Sequence, residues 1–193
     1  MGLIMRKPKR FPFISDRRGV AAAEFALIAP ALIFIVMGVL EMSLRFRAGD
    51  EATRYVHQVA DLIARENALK ESELVDLYEA APHMMMPLET ADQLDLDISS
   101  VGFVGDEAEP EVFWRRVAGE PVNFDPSETA GMGLKDETVI RIGIRYHYTS
   151  VITELFGGSV LSIEREAFTR PRMQRVVTLE GEPSDGGDIK PIG

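Results

Sequence analysis

The chain has 193 residues, 46% of them apolar, no cysteine, and a formal net charge of −10 from 21 Lys and Arg against 31 Asp and Glu. One or two small domains fit that length. The lack of cysteine excludes a disulfide scaffold, a Cys-ligated zinc or iron–sulfur site, a thiol nucleophile and lipid attachment through Cys. The acidity argues against nucleic acid as a partner, because binding a polyphosphate needs basic surface.

The charge is unevenly spread. Residues 1–18 hold six cations (Arg6, Lys7, Lys9, Arg10, Arg17, Arg18) and one acid, Asp16, for a charge of +5. The remainder holds 15 basic and 30 acidic side chains, for −15. Residues 1–19 therefore read as a basic leader.

Residues 20–40, VAAAEFALIAPALIFIVMGVL, contain Glu24 as their only charge. A helix of that length spans about 30 Å, the thickness of the bilayer's hydrocarbon core. A helix buried in a globular core rarely stays apolar around its whole circumference for so long. A cleaved secretory signal would have a shorter apolar core and a small-residue cleavage site after it, and none follows Leu40. The expectation is a single transmembrane helix. Six cations before it and a mixed flank after it (Glu41, Arg45, Arg47, Asp50, Glu51) put the amino terminus in the cytoplasm by the positive-inside rule. The remainder of the chain then lies outside the cytoplasmic membrane, in the periplasm of a diderm bacterium. A carboxylate at mid-bilayer costs on the order of 2.5–3.5 kcal/mol. Glu24 sits only one turn inside the span, where that cost is smaller. Pro30 removes one helical hydrogen bond and favours a kink.

Helical spacing continues beyond the span. Ala52, Tyr55, Val56, Val59, Leu62 and Ile63 recur every three or four residues, predicting one long helix over 20–66, loosened near Gly49, whose distal part packs on a domain. A second helix is predicted over 71–81, ending before Pro82. Four strands follow. Leu94-Asp95-Leu96-Asp97-Ile98 alternates, with the two aspartates on a solvated face. Residues 112–117, 138–149 and 160–169 supply the others. In the third, Ile140, Ile142, Ile144, Tyr146 and Tyr148 share a face opposite Arg141, Arg145 and His147. Residues 151–156 suit an apolar loop or short helix, and Gly157-Gly158 a turn. The fold class is α+β: a long amino-terminal helix and an antiparallel sheet of about four strands, with a domain over 41–175. Residues 176–193, rich in Gly, Pro and acids, have too little apolar content to order themselves.

Chemistry-bearing patterns are sparse. His57, His83 and His147 stand far apart, and no HExxH, GxSxG, Walker or GxGxxG pattern occurs. Met84, Met85 and Met86 beside His83 could bind a soft metal, but a methionine run more often fills an irregular core. Asp95 and Asp97 as a catalytic pair, and Arg115, Arg116, Arg141 and Arg145 as a basic patch, are both weaker readings than charged, solvated sheet surface. Glu164-Arg165-Glu166 reads the same way. Neither enzymatic activity nor a cofactor is expected.

The basic leader ending Arg17-Arg18-Gly19, followed by Val20-Ala21-Ala22-Ala23-Glu24-Phe25, resembles a prepilin peptidase site. The match is closest to the TadE-like pseudopilins of the tight-adherence (Flp) pilus system. Ala60-Asp61-Leu62-Ile63-Ala64 and the stretch from Tyr146-His147-Tyr148 to Arg170-Pro171-Arg172 are similar to TadE-like ectodomains. Phe25 departs from the Tyr usual in major Flp pilins, which points to a minor subunit. The resemblance implies a pilin-like domain and cleavage by prepilin peptidase between Gly19 and Val20. It also implies that Glu24, beside Phe25, neutralises the new terminal amine of an adjacent subunit and sets register. Ala21, Ala22 and Ala23 would allow close helix approach within the bilayer. The implied protein is a structural minor pilin or pseudopilin of the inner membrane. It would associate with the major pilin or a second minor pseudopilin and either stay in the membrane or enter the fibre. An uncleaved, membrane-anchored periplasmic binding or scaffold module is the alternative.

Overall fold

A computed structural model describes residues 18–86, 88, 93–150 and 160–192 of the chain. It divides into two compact units, Met1–Met42 and Ser43–Gly193. The leader up to residue 17, the segment 151–156 and Gly157-Gly158 lie outside the described residues.

Helix α1, Arg18–Arg65, is 48 residues long and continues through Pro30. It also runs through Gly49, where loosening was expected, and the Thr53 hydroxyl donates to the Gly49 carbonyl at 2.8 Å. The helix tightens at its end, with the Glu66 N–H donating to the Ile63 carbonyl. Strand β1 (Ala68–Leu69) leads into α2 (Glu71–Glu79). Here the Glu73 carboxylate accepts from the Lys70 N–H at 2.9 Å, satisfying a donor at the helix start. The helix expected over 71–81 is in fact two: α2, then α3 (Ala81–Met84). Pro82 lies in the first turn of α3, where a missing N–H costs nothing.

The four expected strands are β2 (Leu94–Val104), β3 (Glu109–Ala118), β4 (Thr138–Tyr148) and β5 (Leu161–Thr169). They pair antiparallel in the order β5-β4-β2-β3 within a five-stranded sheet. The fifth strand, β7 (Ile189–Pro191), runs parallel to β3. Strand β6 (Thr178–Leu179) pairs separately with β1. Within the second unit, Ala48, Ala52, Tyr55, Val56, Val59 and Ile63 of α1 bury against Leu96, Ile98, Trp114, Ile142 and Ile144 of the sheet. Leu62, expected in this stripe, stays 44% exposed. Buried polar tips find partners: the Tyr55 hydroxyl donates to the Leu77 carbonyl, and the Trp114 indole to that of Val177. Burial, and secondarily Tyr78, raises the Tyr55 pKa, so this hydroxyl stays protonated.

The expectation that 176–193 lacks order is corrected. Its apolar content is small, but Val177 and Leu179 bury in the core, Ile192 packs against it, and backbone and ionic bonds hold the rest. The Gly187 and Ile192 N–H groups donate to the Phe113 and Val117 carbonyls. Asp185 meets Arg116 and Lys190, both at 2.7 Å. Burial opposes ionisation of Asp185, but the hydrogen bonds from Lys190 and Arg116 outweigh it and hold the carboxyl below its ordinary range.

That shift has a defined pH consequence. The folded chain favours the anion, so the stabilisation is complete above the unfolded carboxylate value, about 3.9, and is lost as pH falls through the lowered folded value. Hydrogen exchange at the Ile192 amide, corrected for intrinsic rate, should lose protection on acidification below about pH 4. Asp185→Asn should already exchange several-fold faster at pH 7; unchanged protection would show that this carboxylate does not fasten β7.

Candidate functional site

The first described feature with functional character is the surface of α1. In an 18-residue window of this helix the mean hydropathy is 2.4 and no residue is buried. Phe25, Leu27, Ile33, Phe34, Ile35 and Val36 are all exposed, with Leu27 at 82%. Among the described residues this is the one helix long and apolar enough to cross a membrane, and it lies near the amino terminus. A continuous apolar surface on this scale marks contact with lipid or other protein.

Gly19, Val20, Ala21, Ala22, Ala23, Glu24 and Phe25 all lie in α1. Successive helical residues point about 100° apart, so these seven do not share a face. Gly19, Val20, Ala23, Glu24 and Leu27 line one shallow concavity, which puts Val20 and Glu24, one turn apart, on a common side. Of the three alanines, only Ala23 lines it. Arg18 and Gly19, expected in the leader, are the first two residues of the helix. A Cβ at Gly19 would meet nothing within 4 Å, so side-chain crowding does not close this position to approach.

A second cluster departs from the sequence expectation. Asp95 and Asp97 were expected on a solvated face, yet they are 7% and 0% exposed. Their strand face is covered by the segment 119–125, and all four carboxylate oxygens are engaged. Asp95 accepts from the Glu120 N–H at 3.0 Å through one oxygen. Its other oxygen lies 3.0 Å from His147 Nε2 and 3.6 Å from Arg145. Asp97 receives Arg115 Nε at 3.0 Å on one oxygen. On the other it receives Arg115 Nη2 at 2.5 Å and the Val122 N–H at 3.0 Å, with Arg141 3.4 Å away. In return Arg115 donates to the Val122 carbonyl and Arg141 to that of Asn123. The buried Arg141 guanidinium also lies 4.6 Å from the Phe124 ring centroid, within cation–π range.

Two glycines make room for this layer. A Cβ at Gly143 would stand 2.6 Å from the Arg141 guanidinium, and one at Gly119 only 2.2 Å from Asp95 Oδ1. Gly119 also has φ +82°, a region L side chains rarely adopt. Glu166 and Glu164 complete the layer against Arg141 and Arg145. The run Glu164-Arg165-Glu166 is thus divided: Arg165 points the other way, to the Thr53 hydroxyl on α1. Arg116, grouped from sequence with the other three arginines, instead reaches Glu71 and Asp185. The arrangement grips the backbone of one loop with side chains of a sheet.

Sequence alternation was read correctly for direction but not for burial. The overlooked signals were opposite charges at matching register, as with Asp95 across from Arg145, and Val122 and Phe124 in the loop, which need cover. Of the methionine run, Met85 is buried in the core while Met86 is exposed. Among the described residues, no group of three or more His, Cys, Asp or Glu side chains could hold a metal ion.

Compared with known families, residues 19–65 match the family model described as TadE-like protein. The match begins at Gly19 and ends at Arg65, the last residue of α1, so the helix carries the family signal and the sheet lies beyond it. No curated protein and no solved structure matches the chain.

The charged layer yields a stability test. Asp97→Ala leaves two guanidinium groups without their buried counter-charge and should cost about 3–5 kcal/mol. Lys135→Ala, which removes an exposed pair with Asp106, should cost less than about 1 kcal/mol. Urea denaturation of the detergent-solubilised chain measures both. A loss below about 1 kcal/mol for Asp97→Ala would contradict a fastening role.

Proposed function

We propose that the protein is a structural minor pilin or pseudopilin acting in assembly of a tight-adherence pilus, and that it works by lateral helix association rather than catalysis. The observation that carries this reading is the coincidence of the TadE-like match over 19–65 with α1, whose first turn holds Gly19-Val20 and which places Glu24 one turn from Val20.

Residues 20–40 cross the inner membrane, with the amino terminus cytoplasmic and the sheet domain periplasmic, in the orientation the leader's six cations favour. Prepilin peptidase cuts between Gly19 and Val20. The bond lies in the first helical turn, where the opening N–H groups have no intrahelical partner and unwinding costs least. The cut removes the leader's cations and creates an α-amino group on Val20. Glu24 forms no ion pair among the described residues, which suits a carboxylate awaiting a partner amine.

On assembly that amine comes from the adjacent subunit. An ion pair in a low-dielectric site is not free stabilisation; its use is to penalise every other register, since misalignment leaves a buried charge unpaired. Ala23, on the same side of the helix, keeps the approach close. The partners are prepilin peptidase, the lipid bilayer, and the major pilin or a second minor pseudopilin.

Amino-terminal sequencing of protein from cells with and without prepilin peptidase tests the processing step. The expected result is a Val20 terminus only where the peptidase is present; Met1 in both would favour the uncleaved anchored module. Glu24→Ala should leave cleavage intact but reduce co-purification with other pilus subunits by about tenfold or more, the size expected for losing a desolvated charge pair. Undiminished co-purification would remove the registry role.

A further inference from the structure

At the distal end of α1, within the second unit, a cleft opens between the last turn of that helix, β1 and α2. Its floor is apolar: Leu62, Ile63, Leu69 and Leu77. Its rim is acidic: Glu66, Glu73 and Asp76. The cavity volume is about 280 Å³. Small-molecule sites generally occupy about 300–1,000 Å³, so this cleft suits one or two side chains better than a cofactor.

The rim carboxylates make no ion pair among the described residues. Glu73 is used once, at the start of α2, by the Lys70 N–H. The nearby aspartate Asp61, by contrast, is already held by Arg65 and Arg172. Leu62 stands 44% exposed at the cleft although its neighbour Ile63 is fully buried. An apolar floor favours an occupant that sheds water, while three unneutralised carboxylates repel anions and favour a cation. Arginine and lysine meet both demands at once, with an apolar stem and a charged head. Arginine in particular is enriched among residues that dominate binding energy.

We propose that this cleft is a docking site for a cationic anchor of another protein: an Arg or Lys beside an apolar residue. Its stem packs on Leu62 and Leu77, and its charge meets Glu66 and Asp76. With −15 on residues 19–193, a second copy of the chain is a poorer electrostatic match than a basic partner. The site is independent of the processing and registry reading, which can fail without affecting it.

The test places the photocrosslinker p-benzoylphenylalanine at position 62 of the full chain in its own cells, with mass spectrometry of the adduct. The expected product joins position 62 to one segment of a different protein carrying Lys or Arg next to an apolar residue. The double variant Glu66→Lys/Asp76→Lys should lower its yield by about tenfold or more, since like charges facing across an interface cost several kcal/mol. Both residues are exposed, and unchanged protease resistance would establish that the variant folds. Glu111→Lys, an exposed site on β3, should leave the yield unchanged. Reversing the partner's cation to Glu should restore the adduct with the double variant. The proposal is overturned by no adduct, by an adduct with lipid or a second copy of the chain, by a segment without a cation, or by a yield indifferent to the charge reversal.

Discussion

Everything in this molecule depends on one continuous hydrogen-bonded helix whose two halves present apolar surface in different ways. A segment without water around it must satisfy its backbone internally, and a helix does so along its whole length. In α1 that requirement coincides with an apolar circumference over 20–40 and then with a single apolar stripe from Ala48 to Ile63. The change from all-round to one-sided apolarity needs no break in the backbone. Only the side chains change, and the division of the chain at Met42 and Ser43 falls where they do.

The sheet domain solves a related problem with charge. Burying Asp97 with Arg115 and Arg141 is costly, and apolar residues of similar volume could be as stable. What the charges add is direction. Each carboxylate accepts from a particular backbone N–H of the 119–125 segment, and each guanidinium returns a bond to a carbonyl nearby, so the loop has one seat on the sheet. Gly119 and Gly143 are the steric conditions for that seat. The role proposed for Glu24 follows the same logic between subunits: a charge whose value lies in the misalignments it forbids.

Regular periodicity made much of this legible in the sequence. The long helix, the four antiparallel strands and the inward faces of Ile140, Ile142 and Ile144 follow from spacing alone, because repeats of 3.6 and 2 map directly onto faces. The similarity to TadE-like proteins was legible for a different reason: it was read chiefly from a short local pattern at the start of α1, within the matched residues 19–65. Periodicity says which face a residue occupies, but not what covers that face. Asp95 and Asp97 were therefore assigned to solvent, although the covering loop is more than twenty residues away in sequence. Composition failed for residues 176–193, because a few apolar side chains suffice: Val177 and Leu179 enter the core and Ile192 packs against it, while backbone bonds and the Arg116–Asp185–Lys190 ion pairs hold β7. Leu62 fits the helical stripe by spacing, yet borders the acidic cleft beside Glu66 and Asp76.

The central claim is that α1 changes surroundings near residue 42, and the absence of native cysteine permits a clean measurement. Single cysteines placed along 20–66 in the full chain, in native membranes, can be probed with a water-soluble maleimide. The account predicts an unbroken protected block through positions 22, 27, 33 and 39, whatever their helical face. Beyond it, labelling should alternate, with 54, 58 and 65 reactive and 52, 56, 59 and 63 protected. Labelling that followed the helical period from residue 20 onward would contradict it, because only a helix with one face in water behaves that way.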